Sequence, residues 1–228
     1  MRTRMSLVGL LGFGMAMAAC GDATPPPPPA LLTIAKADPS GNEQVGSPNF
    51  ALPQQLRARV FEDGVPKSGV TVAWATADGQ VTGSTTSDAD GIVTATWTLG
   101  PSSGARLAQA SATIEENDRV TSFTAYSIPG DHALVEIQNN VFVPSAITVP
   151  PNTPVTWLWR STATGHNVAP AAGGTQPTRS GPPRDGPFLY SFTFTNEGVY
   201  DYICEPHLSD GMTGRVTVQV APPAPPTR

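Results

Sequence analysis

Two cysteines, Cys20 and Cys204, are all that this 228-residue chain contains, so no disulfide framework can hold it together. Charge is scarce as well: charged residues make up 14%, and the formal net charge is −5. There is no basic block, which removes the electrostatic footprint that nucleic-acid binding requires. No long stretch repeats apolar residues at helical intervals, and the apolar stretch near the N-terminus, about 15 residues, is too short for a good transmembrane helix. What the chain has in quantity is punctuation. Its 25 prolines and 22 glycines separate short Val/Thr-rich runs. Such runs, with turn residues between them, imply an all-β chain of sandwiches or barrels rather than a helical or α/β one.

The first residues read as a targeting segment. Arg2 and Arg4 give a positive start, Leu7 to Met17 an apolar stretch, and Met17-Ala18-Ala19 a small-residue approach to Cys20. Gly21-Asp-Ala-Thr24 and five prolines, Pro25 to Pro29, follow. A cysteine placed so, before a Pro-rich tether, resembles the lipobox of bacterial lipoproteins. The resemblance implies a signal peptide over residues 1–19 and a lipidated Cys20 joining the chain to a lipid membrane. Residues 20–30 then form an extended spacer of roughly 3 Å per residue. Gly21 in place of an Asp implies the outer membrane of a bacterial cell envelope, periplasmic or surface-facing. With Cys20 lipidated, Cys204 is left as a single thiol in an oxidising compartment. It must be buried, pair with another chain, or be held by a metal.

Pro129-Gly130-Asp131 is the expected break between two domains, residues 31–129 and 131–221, and the Pro-rich tail 222–228 cannot continue a strand. Upstream of the break, strands are expected at Leu31–Lys36, Gln55–Phe61, Gly69–Ala75, Ile92–Leu99, Leu107–Ile114 and Val120–Tyr126. Their number and spacing fit an immunoglobulin-type β-sandwich. Gly69-Val-Thr-Val-Ala-Trp-Ala75 and Ser87-Asp-Ala-Asp-Gly-Ile-Val-Thr-Ala-Thr-Trp97 resemble the bacterial immunoglobulin-like repeats of invasin and intimin, which implies a spacer or adhesion module without an active site. Asp88 and Asp90 lack further ligands at the spacing of a calcium loop and read as turn residues.

The chemistry lies downstream. A strand Val199–Cys204 feeds a short loop, and a strand Arg215–Val220 leaves it; Cys204, His207 and Met212 sit on or beside this loop in the spacing C-x2-H-x4-M. A loop joining adjacent strands can turn its side chains towards one point. A fourth ligand must come from elsewhere, and His166, in Gly165-His-Asn-Val168, is the remaining candidate. Structural zinc has little use for a thioether, and calcium and magnesium want oxygens. One thiolate, two imidazoles and one thioether describe a single copper site with a His2Cys plane and a weak axial Met. His132 reads as a surface residue without partners. Trp157, Trp159 and Tyr202 read as core, Tyr202 pointing to the same side as Cys204 by strand alternation.

Phe142-Val-Pro-Ser-Ala-Ile-Thr-Val149, Val155-Thr-Trp157, His166-Asn-Val168 and Tyr200-Asp-Tyr-Ile-Cys-Glu-Pro-His207 resemble, in order, the blue-copper proteins of the plastocyanin, amicyanin and pseudoazurin group. This resemblance to cupredoxins implies a Greek-key β-sandwich holding one type 1 copper ion. It also implies that Asn167 pins the ligand loops together and donates near the Cys204 sulfur. The implied role is that of an electron carrier, not an enzyme, working between redox proteins with no small-molecule substrate. Copper buffering or delivery, and a cell-surface adhesion module with a structural copper domain, are the alternatives. Two features depart from the family pattern. Ile203 stands where plastocyanin has a Tyr before the copper Cys, and residues 169–187 form a long Pro/Gly-rich stretch, of a length that is often functional or disordered.

Overall fold

Residues 30–220 are described by the structure, a computed structural model. The expected signal peptide, Cys20 with nearly all of the expected tether, and the tail 222–228 lie outside the described residues. The strands of the first half are β1 (Leu32–Lys36), β2 (Gln44–Gly46), β3 (Leu56–Glu62), β4 (Val65–Pro66), β5 (Val72–Thr76), β6 (Gln80–Gly83), β7 (Ile92–Thr98), β8 (Arg106–Ile114) and β9 (Arg119–Ser127). One sheet runs β1-β3-β7-β6 with β4 paired to β3, and the other runs β2-β9-β8-β5. Alternation explains the packing: Leu56, Ala58 and Val60 of β3 point inward while Arg57 and Arg59 point away, so one face of the strand is buried. Trp97 and Val93 of the first sheet meet Ala112, Ile114 and Phe123 of the second in one apolar cluster.

The Ser87–Gly91 segment is a turn for a visible reason. Asp88 Oδ1 accepts the backbone N–H groups of Asp90 (3.0 Å) and Ile92 (2.8 Å), so this carboxylate oxygen serves the backbone. Gly91 has φ +74°, and a Cβ there would meet the carbonyl oxygen of Val60 at 2.6 Å.

The second half contributes β10 (Ala133–Gln138), β11 (Val141–Val143), β12 (Ala146–Val149), β13 (Pro154–Trp159), β14 (Ala169–Pro170), β15 (Phe188–Thr193), β16 (Gly198–Ile203) and β17 (Thr213–Val218). They form two four-stranded sheets, β11-β10-β13-β15 and β12-β17-β16-β14. Val135, Ile137, Trp157, Trp159, Phe194, Tyr202 and Val216 fill the space between them. The all-β expectation holds, and the one helical turn among the described residues is a 3₁₀ turn at Leu208–Asp210.

β13 shows how the two halves meet. Val155, Trp157 and Trp159 face the core of their own sandwich, which would leave Thr156 and Leu158 on the outside. Both are nevertheless fully buried. Leu158 packs with Tyr126 and Ile128 of the first half, together with Leu107, Leu134 and Leu189, in a separate apolar seam. Polar contacts close it. Tyr126 Oη donates to the carbonyl of Trp159 at 3.0 Å, and the Arg160 guanidinium lies 5.5 Å from the Tyr126 ring centroid. Arg160 also pairs with Glu136 at 2.7 Å and donates to the Glu43 carbonyl.

His132 is not the unpartnered surface residue expected. Its Nδ1 lies 2.7 Å from Thr156 Oγ1, which in turn lies 2.8 Å from Ser191 Oγ. Strand pairing brings Thr156 opposite Ser191, and the chain entering β10 passes beside them.

Candidate metal centre

Cys204 follows directly on β16, and Met212 directly precedes β17; these strands are antiparallel neighbours. The loop between them folds on itself. Cys204 N–H donates to the Met212 carbonyl (3.0 Å), Met212 N–H to the His207 carbonyl (3.1 Å), and His207 N–H to the Cys204 carbonyl (3.2 Å). Gly211, at φ +82°, makes the left-handed return out of the 3₁₀ turn. The loop backbone is therefore satisfied internally, and the positions of Cys204, His207 and Met212 are fixed by it.

His166 arrives on the connection from β13 to β14, three residues before β14, the strand that pairs with β16. Its backbone exchanges hydrogen bonds with Arg184, His166 N–H to the Arg184 carbonyl (3.1 Å) and Arg184 N–H to the His166 carbonyl (3.0 Å). The indole Nε1 of Trp159 also donates to that carbonyl at 3.3 Å. The three side chains converge. Cys204 Sγ lies 3.7 Å from His166 Nδ1 and 3.4 Å from His207 Nδ1. One ligand atom from each of the three lies within 4.8 Å of the others.

Burial divides the four expected ligands. Cys204 is fully buried, Met212 is 1% exposed and His166 2%, while His207 is only half-buried. Met212 packs in the same core cluster as Cys204 and Val168. Burial pushes the Cys204 thiol up from its usual range; N–H groups of Asn167 and His207 oppose this and the charge of Glu205 adds to it. Burial likewise holds His166 below the ordinary imidazole range, with the nearby His207 acting in the same direction and Asp185 against it. A neutral imidazole is the form that can ligate a metal, whereas the thiol must lose its proton to do so.

The donor chemistry fits a soft, borderline ion. Among the described residues Cys204 is a free thiol, with no disulfide partner, and the side-chain nitrogens that approach its sulfur are the imidazole Nδ1 atoms of His166 and His207. No carboxylate joins this cluster, which leaves nothing to attract calcium or magnesium.

Asn167 lies between the expected ligands His166 and Cys204. Its backbone N–H points at Cys204 Sγ at 3.5 Å, its Oδ1 accepts from Glu205 N–H at 2.9 Å, and its Nδ2 donates to the Glu205 carboxylate and to the Gly181 carbonyl. The donor towards sulfur is thus the main chain of Asn167, and its side chain ties the His166 segment to the Cys204 loop.

The long stretch 169–187 is an ordered strap laid beside the His166 segment. Val168 N–H donates to Ser180 Oγ (2.9 Å), Ser180 N–H to the Val168 carbonyl (2.9 Å), and Gly165 N–H to Asp185 Oδ1 (2.9 Å). Arg184 stacks its guanidinium over Phe188 at 4.1 Å, and Arg179 forms an ion pair with Glu205. Arg179, Ser180, Arg184 and Glu205 were not among the residues expected at the site. Glu205 could have been suspected from its place beside Cys204. The others carry no spacing signal, because they reach the site through a loop.

The family model for copper-binding proteins of the plastocyanin/azurin family matches residues 132–219. Halocyanin of Natronomonas pharaonis is 37% identical over 78 residues, 34% of this chain and 48% of that protein, so the chain spans about half the length of this relative. Plastocyanin of Scenedesmus fuscus is 33% identical over 86 residues, 35% of this chain and 87% of that protein. Among solved structures, pseudoazurin from Methylobacterium extorquens AM1 is 26% identical with a TM-score of 0.34, over 41% of this chain and 79% of that chain.

Proposed function

The chain belongs to the plastocyanin/azurin family of copper-binding proteins, and from that premise we propose that it is a membrane-tethered carrier of single electrons between redox proteins of the cell envelope. His166, Cys204, His207 and Met212 would hold the copper, through two imidazoles, a thiolate and a thioether. When bound, copper supplies a one-electron couple between Cu(I) and Cu(II).

The protein's own part is preorganisation. The Cys204–Met212 loop is closed by its own backbone bonds, and His166 is held by Arg184 and Trp159. Ligands fixed in this way have little room to rearrange between oxidation states, which favours fast electron transfer. The observation that carries the proposal is the exposure pattern: three of the four ligands are closed off, and only His207 reaches solvent. A partner protein can approach the site there, beside the exposed Leu208.

The envelope location rests on the N-terminal sequence, with its Arg2/Arg4 start, Cys20 and the Pro25–Pro29 spacer. With Cys20 as the anchor, the first sandwich would serve as a spacer that precedes the copper module in the chain and would support the outer face of β13.

The test uses the full chain with Cys20→Ser to keep it in solution. Cu(II) should produce an intense visible thiolate-to-copper band, and voltammetry should give a reversible one-electron wave. A colourless protein that takes up zinc equally well would overturn the proposal. Rapid loss of copper to an acceptor protein, without reversible cycling, would favour copper delivery instead.

A further inference from the structure

We infer that Arg179, brought to the site by the 169–187 strap, is a positioning residue that neutralises Glu205 beside the Cys204 sulfur and so sets the balance between the two copper oxidation states. The inference rests on Cys204 being a copper ligand.

Three observations support it. Glu205 directly follows Cys204, and its carboxylate is gripped by two donors, Asn167 Nδ2 and Arg179 Nη2. The same Asn167 presents its backbone N–H to Cys204 Sγ at 3.5 Å. The ion pair therefore lies one residue's breadth from the sulfur. Third, the pair contributes little to folding: the Arg179 and Glu205 side chains are 53% and 39% exposed, and exposed pairs of this kind are typically worth less than about 1 kcal/mol. Its geometry makes sense as control of local charge.

The electrostatics give each partner a sign. Cu(II) carries one more positive charge than Cu(I), so a lone carboxylate nearby favours Cu(II), and a lone guanidinium disfavours it. As a neutral pair they nearly cancel. A single uncompensated charge several Å away, in the intermediate dielectric of a protein surface, changes the Cu(II):Cu(I) affinity ratio roughly threefold to tenfold. For a one-electron couple, a tenfold change is about 59 mV.

Voltammetry on the copper-loaded full chain (Cys20→Ser) tests this with five further variants. Arg179→Ala should lower the reduction potential, and Glu205→Gln, which keeps an acceptor for Asn167, should raise it. Combining the two should bring the potential back towards that of the parent. Arg179→Lys keeps the charge and should restore most of the Arg179→Ala shift. Both single-variant shifts should shrink between 0.01 M and 1 M salt, as the Debye length falls from about 30 Å to about 3 Å. Lys67→Ala, which breaks an ion pair in the first sandwich, serves as the charge control and should leave the potential unchanged.

Shifts of the same sign in Arg179→Ala and Glu205→Gln, or no shift in either while the visible band persists, would overturn the inference. Loss of the band in both would mean that the pair holds the ligands in place and does not tune charge, which also overturns it. A parent protein that never develops the band would instead remove the copper-site assignment on which the inference depends.

Discussion

Replacing Leu158 with alanine should cost about 3 kcal/mol of stability, within the roughly 2–5 kcal/mol range for fully buried Leu→Ala changes. Leu158 is on the outward side of β13 with respect to its own sandwich, yet it is fully buried. It owes that burial to Tyr126 and Ile128 of the first half and to the neighbouring Leu134 and Leu189. Burying a Leu side chain is worth roughly 1.5–3 kcal/mol, and the cavity left in a seam lined by large side chains adds to the loss. The assay is urea unfolding of the metal-free chain, followed by tryptophan fluorescence. Trp74 and Trp97 report on the first sandwich and Trp157 and Trp159 on the second. With a slope of about 2 kcal/mol/M, the midpoint should fall by about 1.5 M, and both sets of tryptophans should respond. Were the halves independent, Leu158 would sit on a solvent face and the same change would cost less than about 0.5 kcal/mol. A loss that small would refute the seam.

Cys204→Ser should abolish the visible copper band while circular dichroism keeps its β signature, because no disulfide is lost; a retained band would exclude Cys204 as a ligand. Gly214→Ala should destabilise by about 1–3 kcal/mol, since its Cβ would run into the buried Tyr202 ring; an unchanged thermal midpoint would mean that the ring yields freely. Burial alone would raise the Glu136 pKa, but hydrogen bonds from Arg160 and Gln138 and the Arg160 charge outweigh it and hold the carboxyl below its usual range. Its contribution to stability is therefore fully present above the unfolded value of about 4.3 and is lost as pH falls through the lower folded value. Glu136→Gln should flatten the loss of stability below about pH 5; acid-unfolding curves that stay parallel to those of the parent would show that the carboxylate does not contribute.

Local chemistry is legible in the order of residues. Alternation in Gln55–Phe61 and Leu107–Ile114 marks strands that fold as Leu56–Glu62 and Arg106–Ile114, because burial on one face of a strand recurs at every second residue. The short strands at Gln44–Gly46 and Gln80–Gly83 carry no such signal. They have few apolar residues, and their pairing with β9 and β7 supplies what their composition lacks. Nothing near His132 in the chain hints at a partner, because Thr156 lies 24 positions away.

The metal centre divides in the same way. Three candidate ligand types on one turn, with a thiol, an imidazole and a thioether in C-x2-H-x4-M spacing, are a property of the sequence alone. So is the preference for copper, which follows from donor softness. The sequence nominates His166 by elimination and by the family order of His166-Asn-Val168. Its distance from Cys204, the closure of three candidate ligands against one half-open imidazole, the Arg179–Glu205 pair and the covering of Leu158 depend on segments far apart in the chain. These follow from strand pairing, sheet packing and the path of the strap, and a linear order of residues does not contain them.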